Sequence, residues 1–369
     1  MCPGTQVYPL QPTESRHDAA ISGTLPPAAP WSGSVTLVRV PAGVYTLSLC
    51  SLVIDPMLSH DARWRAVPES LLPLFERLAV MHGEETAGGI LSSMAGPRRT
   101  GYIRNPLLDA AFSFPSFPVE PVEDLPGCFS VAPRDRDRLL AHPAVAAGAV
   151  YPMNPSSVLA VRLLDVNETH EVLDLAAGPG GKTLLLAIAM ANGGRIAAVE
   201  PVKGRFHRMR ANLDRCGVRN VQFYQADGRS IGRKVPGRFD RVLLDAPCSS
   251  EARIRLDDPA SWSHWKLRKV KEAAKKQRGL IRSGFTALRP GGEMVYCTCS
   301  FAPEENELIV QSLLRAEPDA ALLPLEGRGI PGLISWQNRD LDVRLALTRR
   351  ILPDHLFHGF FLARIRRLS

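Results

Sequence analysis

The sequence predicts an α/β fold: a doubly wound sheet with helices on both faces, preceded by a smaller α/β domain. Three features carry this prediction. Residues 172–175 form a short apolar run, as a strand buried in a parallel sheet requires, and it leads into the turn Gly178-Pro179-Gly180-Gly181. An apolar helical stretch, residues 184–190, follows at once. From there to residue 366, apolar strand-like runs alternate with helical ones.

At 369 residues the chain has room for two domains, or for one domain with an extension. A hydrophobic content of 45% supplies a substantial core and excludes global disorder. The net charge of +8, from 45 Lys and Arg against 37 Asp and Glu, permits a polyanionic partner without demanding one. The seven cysteines are odd in number and scattered, with no paired zinc spacing, so no metal is expected. They read as reduced thiols of a cytoplasmic protein. The longest apolar candidate, residues 43–57, is too short to span a membrane and contains Asp55. No membrane partner and no obligate assembly is expected; the chain reads as a monomer.

In chain order, residues 1–65 read as a poorly ordered extension, poor in charge, with Pro26-Pro27-Ala28-Ala29-Pro30 as a polyproline-like or disordered stretch. Only Arg16 precedes Arg39 among Lys and Arg, so an Arg-rich organellar address is weakly supported, and Met57 is an alternative start. Residues 66–145 are expected to form the small domain. Leu71, Leu72, Leu74, Phe75 and Leu78 recur at helical spacing, residues 90–94 offer a second short helix, and the proline-rich 115–126 connects small strands or loops. Arg98, Arg99 and Arg104 flank Tyr102, a mixture that suits a nucleic-acid contact and equally suits an ordinary solvated basic loop.

Residues 146–369 form the larger domain. An apolar helix at 158–164 has Ser156 or Ser157 as its cap. Strands are expected at 195–200, 221–226, 239–245, 293–297 and 357–366, with helices at 202–216, 266–288 and 304–317. The 266–288 helix is basic, through Lys269, Lys271, Lys275, Lys276 and Arg278.

Ligands of such sheets bind at the carboxyl ends of the strands. The first strand ends in Asp174 and the glycine loop, whose backbone can approach a ligand closely and whose helix offers free N–H groups. A ligand-free tight turn remains the plain alternative. The second strand ends at Glu200, placed to accept from both hydroxyls of a ribose. The third ends at Ala226-Asp227, within reach of an adenine amino group. The fourth ends in Asp245-Ala246-Pro247-Cys248, and the fifth leads to Thr298-Cys299-Ser300. Any one of these acids also fits as a turn residue or helix cap. Four such ends in a row beside a glycine loop fit that plain reading far less well.

Cys248 and Cys299 at adjacent sheet edges point to covalent chemistry, since a thiolate is the soft nucleophile that attacks an electron-poor ring carbon. At an unperturbed pKa of about 8.5 only a few per cent of a thiol is ionised at pH 7, so cationic help is needed, and Lys182 is one source. Cys2, Cys50, Cys128, Cys216 and Cys297 read as small packed hydrophobes.

These stretches resemble the Nop/Sun family of RNA cytosine-C5 methyltransferases, including the bacterial RsmB-like and RsmF-like enzymes. The matching residues are Asp174-Leu-Ala-Ala-Gly-Pro-Gly-Gly-Lys-Thr183, Asp245-Ala-Pro-Cys-Ser249 and Tyr296-Cys-Thr-Cys-Ser300. Arg289-Pro-Gly-Gly292, Glu304-Glu-Asn306 and Gly359-Phe-Phe361 also match, and the likeness runs over roughly residues 70–369. The resemblance implies a Rossmann-like methyltransferase sheet with an RNA-binding domain before it, and S-adenosylmethionine as methyl donor. Ala176, Ala177, Gly178, Pro179, Gly180, Gly181, Lys182, Glu200, Asp227 and Asp245 would bind the donor. Cys299 would add to C6 of the cytosine, Asp245 would hydrogen-bond the flipped base, and Cys248 would assist loss of the C5 proton and release of Cys299. Ribosomal RNA is the first expectation for the substrate and transfer RNA the second.

Three departures stand out. Gly178 replaces a usual alanine, Cys297 replaces a usual serine or similar small residue, and Ser249-Ser250-Glu251-Ala252 lacks both glycines of the usual Ser-Gly-Glu-Gly. Rival readings are a DNA cytosine methyltransferase, whose Glu-Asn-Val motif is missing here, an idle RNA-binding scaffold, and a small-molecule methyltransferase.

Overall fold

The computed structural model describes residues 67–108 and 117–369. The expected extension at 1–65, its proline stretch and the alternative start at Met57 lie outside the described residues. All described residues fall within one unit, Leu52–Ser369.

Two helices come first, α1 (Leu72–His82) and α2 (Glu84–Ala95). Leu74, Phe75 and Leu78 face Ile90, Leu91 and Met94, an apolar stripe at three- and four-residue spacing. The same cluster takes in Ala252, Ile254, Trp265 and Phe301. The helical pair therefore braces the loops that follow Cys248 and Cys299. A small antiparallel sheet comes next: β1 (Thr100–Arg104), β2 (Val119–Pro121), β3 (Cys128–Val131) and β4 (Val150–Pro152), in the order β2-β3-β1-β4. Because Tyr102 of β1 pairs with Pro152 of β4, this sheet straddles the boundary expected near residue 145.

Helix α3 (Pro155–Leu164) begins earlier than its apolar run, and its cap is neither expected serine. Pro155 fixes the first helical φ, which puts Asn154 at the cap, where its Oδ1 accepts from the Ser156 N–H at 3.0 Å. The large sheet then builds from β5 (Glu171–Asp174), α4 (Gly181–Ala189), β6 (Arg195–Val199), α5 (Lys203–Arg215), β7 (Val221–Tyr224), β8 (Phe239–Asp245), α6 (Leu267–Ala287), β9 (Leu288–Thr298) and α7 (Glu307–Ala316). The chain ends with β10 (Ala320–Leu323), β11 (Ile330–Pro331), a small hairpin of β12 (Ser335–Trp336) and β13 (Arg339–Asp340), then β14 (Arg349–Ile351) and β15 (Phe360–Arg367).

The strand order is β11-β14-β15-β9-β8-β5-β6-β7, with β10 paired to β15. Strands β5 to β9 are mutually parallel and β15 runs antiparallel against β9. From β5 the chain steps outward to β6 and β7, then returns to β8 on the other side of β5. That reversal opens a crevice at the carboxyl ends of β5 and β8. The strands are apolar on both faces because each face is covered. Val172 and Leu243 pack with Val161, Leu184 and Met209, whereas Leu173 and Leu244 pack with Leu280, Ile281 and Leu313. Truncating Leu173, wholly buried, to alanine is expected to cost about 2–5 kcal/mol. Among the described residues, no helix is long and apolar enough to cross a membrane.

Candidate active site

The glycine loop follows directly from β5. Gly180 caps α4 at φ 103°, which an L side chain rarely adopts, and the Ala177 N–H ties the loop to the Val199 carbonyl at 2.9 Å. Gly178 lies against Glu200: a Cβ on it would meet Glu200 Oε2, with Cδ and Cγ at 3.0 Å. Glu200, 2% exposed, accepts from the Val202 N–H at 2.9 Å and pairs with Arg205 Nε at 3.4 Å. Arg205 also donates to the Gly178 carbonyl. Gly180→Ala is expected to lower stability by about 1–2 kcal/mol and to weaken S-adenosylmethionine binding. Thermal melts and calorimetric titration check both effects, and an unchanged affinity counts against a role for the loop in binding.

The loop forms one wall of a cleft of about 300 Å³. Ala176, Ala177, Gly178, Pro179, Gly181, Lys182, Asp245 and Cys299 line it, together with Tyr151, Met153, Asn154 and Phe360. Gly180, Glu200, Asp227 and Cys248 do not. Glu200 stands behind Gly178. Asp227 is exposed and engaged with Arg229, whose guanidinium grips its carboxylate at 2.5–3.0 Å and holds its pKa below the usual carboxylate range. Asp174, also in the lining, bonds Thr183 Oγ1 through Oδ2 at 2.7 Å, and its buried Oδ1 has no partner. Burial pushes its pKa up to about 7.

The strand ends of β8 and β9 bring Cys248 and Cys299 together, with their sulfurs 3.0 Å apart. Cys299 faces the cleft and Cys248 stands behind it. The hydrogen bond from Cys248 lowers the Cys299 thiol below its ordinary value, aided by the positive charge of Arg253. The same bond, with burial, raises Cys248 well above its own. The shared proton therefore belongs to Cys248 and the thiolate to Cys299. Cys297 is buried behind Asp245, its Sγ donating to Asp245 Oδ1 at 3.7 Å. Cys128 and Cys216 are buried in the core, as expected.

Lys182 is held chiefly by Asp245, with the Cys299 sulfur a smaller charge partner. Its Nζ pairs with Asp245 Oδ2 at 2.6 Å, bonds Ser157 Oγ at 3.1 Å and lies 5.5 Å from the Phe360 ring centre. Burial alone would lower its pKa, but the Asp245 carboxylate more than offsets this and keeps it raised. Lys182 thereby orients Asp245, and a second cation acting on Cys299 is Arg253, which the sequence reading did not name.

Several other residues also emerged only from the structure. Glu305, buried between the two cysteine loops, accepts from Ser249 N at 3.0 Å, Ser249 Oγ at 2.5 Å and Ser300 Oγ at 2.8 Å. Gln277 of α6 donates to Glu305 at 2.9 Å and to the Pro247 carbonyl at 2.9 Å. Glu251 accepts from Ser300 Oγ and from the Phe301 and Ala302 N–H groups at 2.9–3.0 Å. The residues just after Cys248 and Cys299 are thus clamped to one carboxylate. The Glu304-Glu-Asn306 motif was the available signal for it.

Burial, with the Glu251 charge next, raises Glu305 from 4.5 to about 7. A carboxyl raised on folding contributes stability below its unfolded pKa and loses it as pH rises through the folded one, here between about 4.5 and 7. Glu305→Gln is therefore expected to gain on the order of 1 kcal/mol relative to the unmodified protein between pH 6 and pH 8. Melts at the two pH values check this; an equal offset at both rules it out.

The expected nucleic-acid contact around Tyr102 is not assembled as the sequence pattern implied. Tyr102 is fully buried and packs on Phe129 with ring centres 5.5 Å apart, so it cannot stack on a base. Arg99 pairs with Glu120 at 2.7 Å and bonds Ser130 Oγ at 3.0 Å. On α6, Val270, Ala274, Gln277 and Ile281 face inward, while Lys269, Lys271, Lys275, Lys276 and Arg278 form an exposed basic face. Among the described residues no cluster of three or more His, Cys, Asp or Glu is arranged to hold a metal ion.

A model of the family described as 16S rRNA methyltransferase RsmB/F matches residues 161–366. Curated relatives named ribosomal RNA small subunit methyltransferase F, from Escherichia coli O139:H28 and Shigella boydii serotype 18, are 42% identical over 225 residues. The match covers 60% of this chain and 45% of each relative, so the chain spans about half the length of the curated relatives it matches. Among solved structures, a methyltransferase homolog protein from Pyrococcus horikoshii aligns with a TM-score of 0.72 at 32% identity, over 84% of this chain and 100% of that one. NSun6 from the same organism shares the fold, with a TM-score of 0.63 at 24% identity, over 83% of this chain and 100% of that one. With its glycine loop, its paired strand-end thiols and more than half its length matched by the family model, the chain belongs to the 16S rRNA methyltransferase RsmB/F family.

Proposed function

We propose that this chain transfers a methyl group from S-adenosylmethionine to C5 of cytosine in RNA through a covalent bond between Cys299 and C6. The observation that carries the reading is the thiol pair: sulfurs 3.0 Å apart, the thiolate on the cleft side, beside a glycine loop. The family and the names of the relatives favour ribosomal RNA over transfer RNA. The protein works as a cytoplasmic monomer.

The chain's residues fit the donor. The cleft-lining backbone of Ala176 to Pro179 and Gly181, backed by Glu200, would take the nucleoside, and the unpartnered Oδ1 of buried Asp174 offers an acceptor to a cationic group. When bound, S-adenosylmethionine supplies an electrophilic methyl group. Cys299 contributes the nucleophile: its sulfur bonds to C6 and the ring electrons move to C5, which then accepts the methyl group. Asp245, oriented by Lys182, hydrogen-bonds the base and favours protonation at N3. Once Cys299 is bonded to C6, Cys248 gives up its own proton to solvent and assists removal of the C5 proton, after which the C6–sulfur bond breaks and Cys299 leaves as thiolate.

The test is transfer of labelled methyl from S-adenosylmethionine to total RNA, with digestion and mass spectrometry for 5-methylcytidine. Label on duplex DNA and none on RNA would overturn the proposal in favour of a DNA enzyme. No transfer to any polymer would favour the idle scaffold.

A further inference from the structure

We infer that the groove beside the cleft is a phosphodiester subsite, in which Arg98, Arg253 and Arg255 hold the RNA backbone at the target nucleotide. The inference rests on RNA being the substrate. The groove, about 680 Å³, shares Pro152, Met153, Asn154, Arg253 and His358 with the reaction cleft, so these residues form a common wall. Burial and the charges of Arg98, Arg253 and Arg255 push the His358 imidazole down to about 3, which places three guanidiniums around one neutral ring.

Two of the three have hydrogen-bonding capacity to spare. Arg98 is 9% exposed; its Nε donates to the Ser93 carbonyl at 2.9 Å and its Nη1 to the Ala252 carbonyl at 3.5 Å. Its buried Nη2 has no partner. Arg253 is exposed and, among the described residues, forms no side-chain hydrogen bond or ion pair. Arg255 is held by Asp257 at 2.8 and 3.0 Å. Asp257 and Asp258 also line the groove, against five arginines in all: Arg98, Arg99, Arg136, Arg253 and Arg255. The exposed Arg253 is open to a phosphate oxygen in the geometry arginine prefers, and Arg98, its vacant Nη2 closed to solvent, adds positive charge behind it. The common wall adjoins the cleft lined by Cys299 and Asp245.

The test is salt-dependent binding of a labelled single-stranded RNA oligonucleotide containing cytosine to full-length Cys299→Ala protein, with and without Arg253→Gln. Arg253→Gln should weaken binding several-fold and reduce the log–log salt slope by about 0.7, one phosphate contact. An equal reduction from Arg278→Gln on the far basic face, or no reduction from Arg253→Gln, would overturn the subsite. If unmodified protein methylates RNA while the slope is indifferent to Arg253, only the subsite fails. If no RNA is bound or methylated, the substrate reading fails with it.

Ser250 carries a second, independent inference. Its backbone is left-handed, φ 61° and ψ 27°, at a position where the resembling sequences have glycine. Its hydroxyl lies 3.8 Å from Cys299 Sγ and 4.0 Å from Cys248 Sγ. The geometry points to Ser250 as a positioning residue whose hydroxyl donates to the Cys299 thiolate, the backbone strain being retained for that contact. Ser250→Gly should raise the melting temperature yet slow alkylation of Cys299 at pH 7 by ~10-fold, its pH profile moving upward. Peptide mass spectrometry after iodoacetamide treatment reads Cys299 alone, without any RNA. Ser250→Thr should restore the profile. Coincident profiles for Ser250→Gly and unmodified protein would reduce Ser250 to a turn residue.

Discussion

Cys248→Ala protein incubated with S-adenosylmethionine and RNA is expected to accumulate a covalent protein–RNA species that survives denaturing electrophoresis. The expectation follows from the division of labour between the thiols. Cys299 faces the cleft with its thiolate favoured, and Cys248 stands behind it holding the proton. Removing Cys248 leaves the attacking sulfur in place and takes away the group that assists the last steps, so attack and methyl transfer outrun release. The structural cost should be small, because the surrounding loop is fixed by Glu305, Gln277 and Glu251 rather than by the Cys248 side chain. Adding Cys299→Ala should abolish the band. A band that persists in the double variant would mean that another residue bonds the base.

The second large effect is on rate. Cys299→Ala is expected to lower methyl transfer by at least ~10³-fold, about 4 kcal/mol in the barrier, while leaving S-adenosylmethionine affinity within a few-fold. In the proposed mechanism Cys299 supplies the bond to C6 that activates C5, and no other described thiol lines the cleft. Because Cys248 holds Cys299 below the ordinary thiol range, the unmodified rate should rise with pH through that lowered value and then level off. In Cys248→Ala, whose Cys299 has lost this donor, alkylation of Cys299 should need a higher pH. Retained methylation by Cys299→Ala would transfer the nucleophile's role elsewhere.

Much of this molecule was legible in the chain itself. Short apolar runs ending in Asp174, Glu200, Asp245 and Thr298 declare parallel strands, because a strand covered on both faces has to be apolar throughout. The turn Gly178-Pro179-Gly180-Gly181 declares a close backbone approach, and the two Cys motifs carry the family resemblance. These signals are local: a residue's type and its immediate neighbours suffice to state them.

What folding alone decided depends on contacts between residues far apart in sequence. Tyr102 reads as a base-stacking aromatic among arginines, yet β1 sits between β3 and β4 and turns its ring inward. Lys182 reads as a cation for the thiolate, and its closest partner in the fold is Asp245, 63 residues on, at 2.6 Å. Arg253 adds a second positive charge beside Cys299, because the loop after β8 folds back over it. Glu305 and Gln277 look like ordinary helix residues until α6 and the approach to α7 converge beneath the two cysteine loops. Periodicity and motif record which face or turn a residue occupies. Which charge meets which partner is set by the order in which β5, β8 and β9 stand side by side, and that order exists only in the assembled sheet.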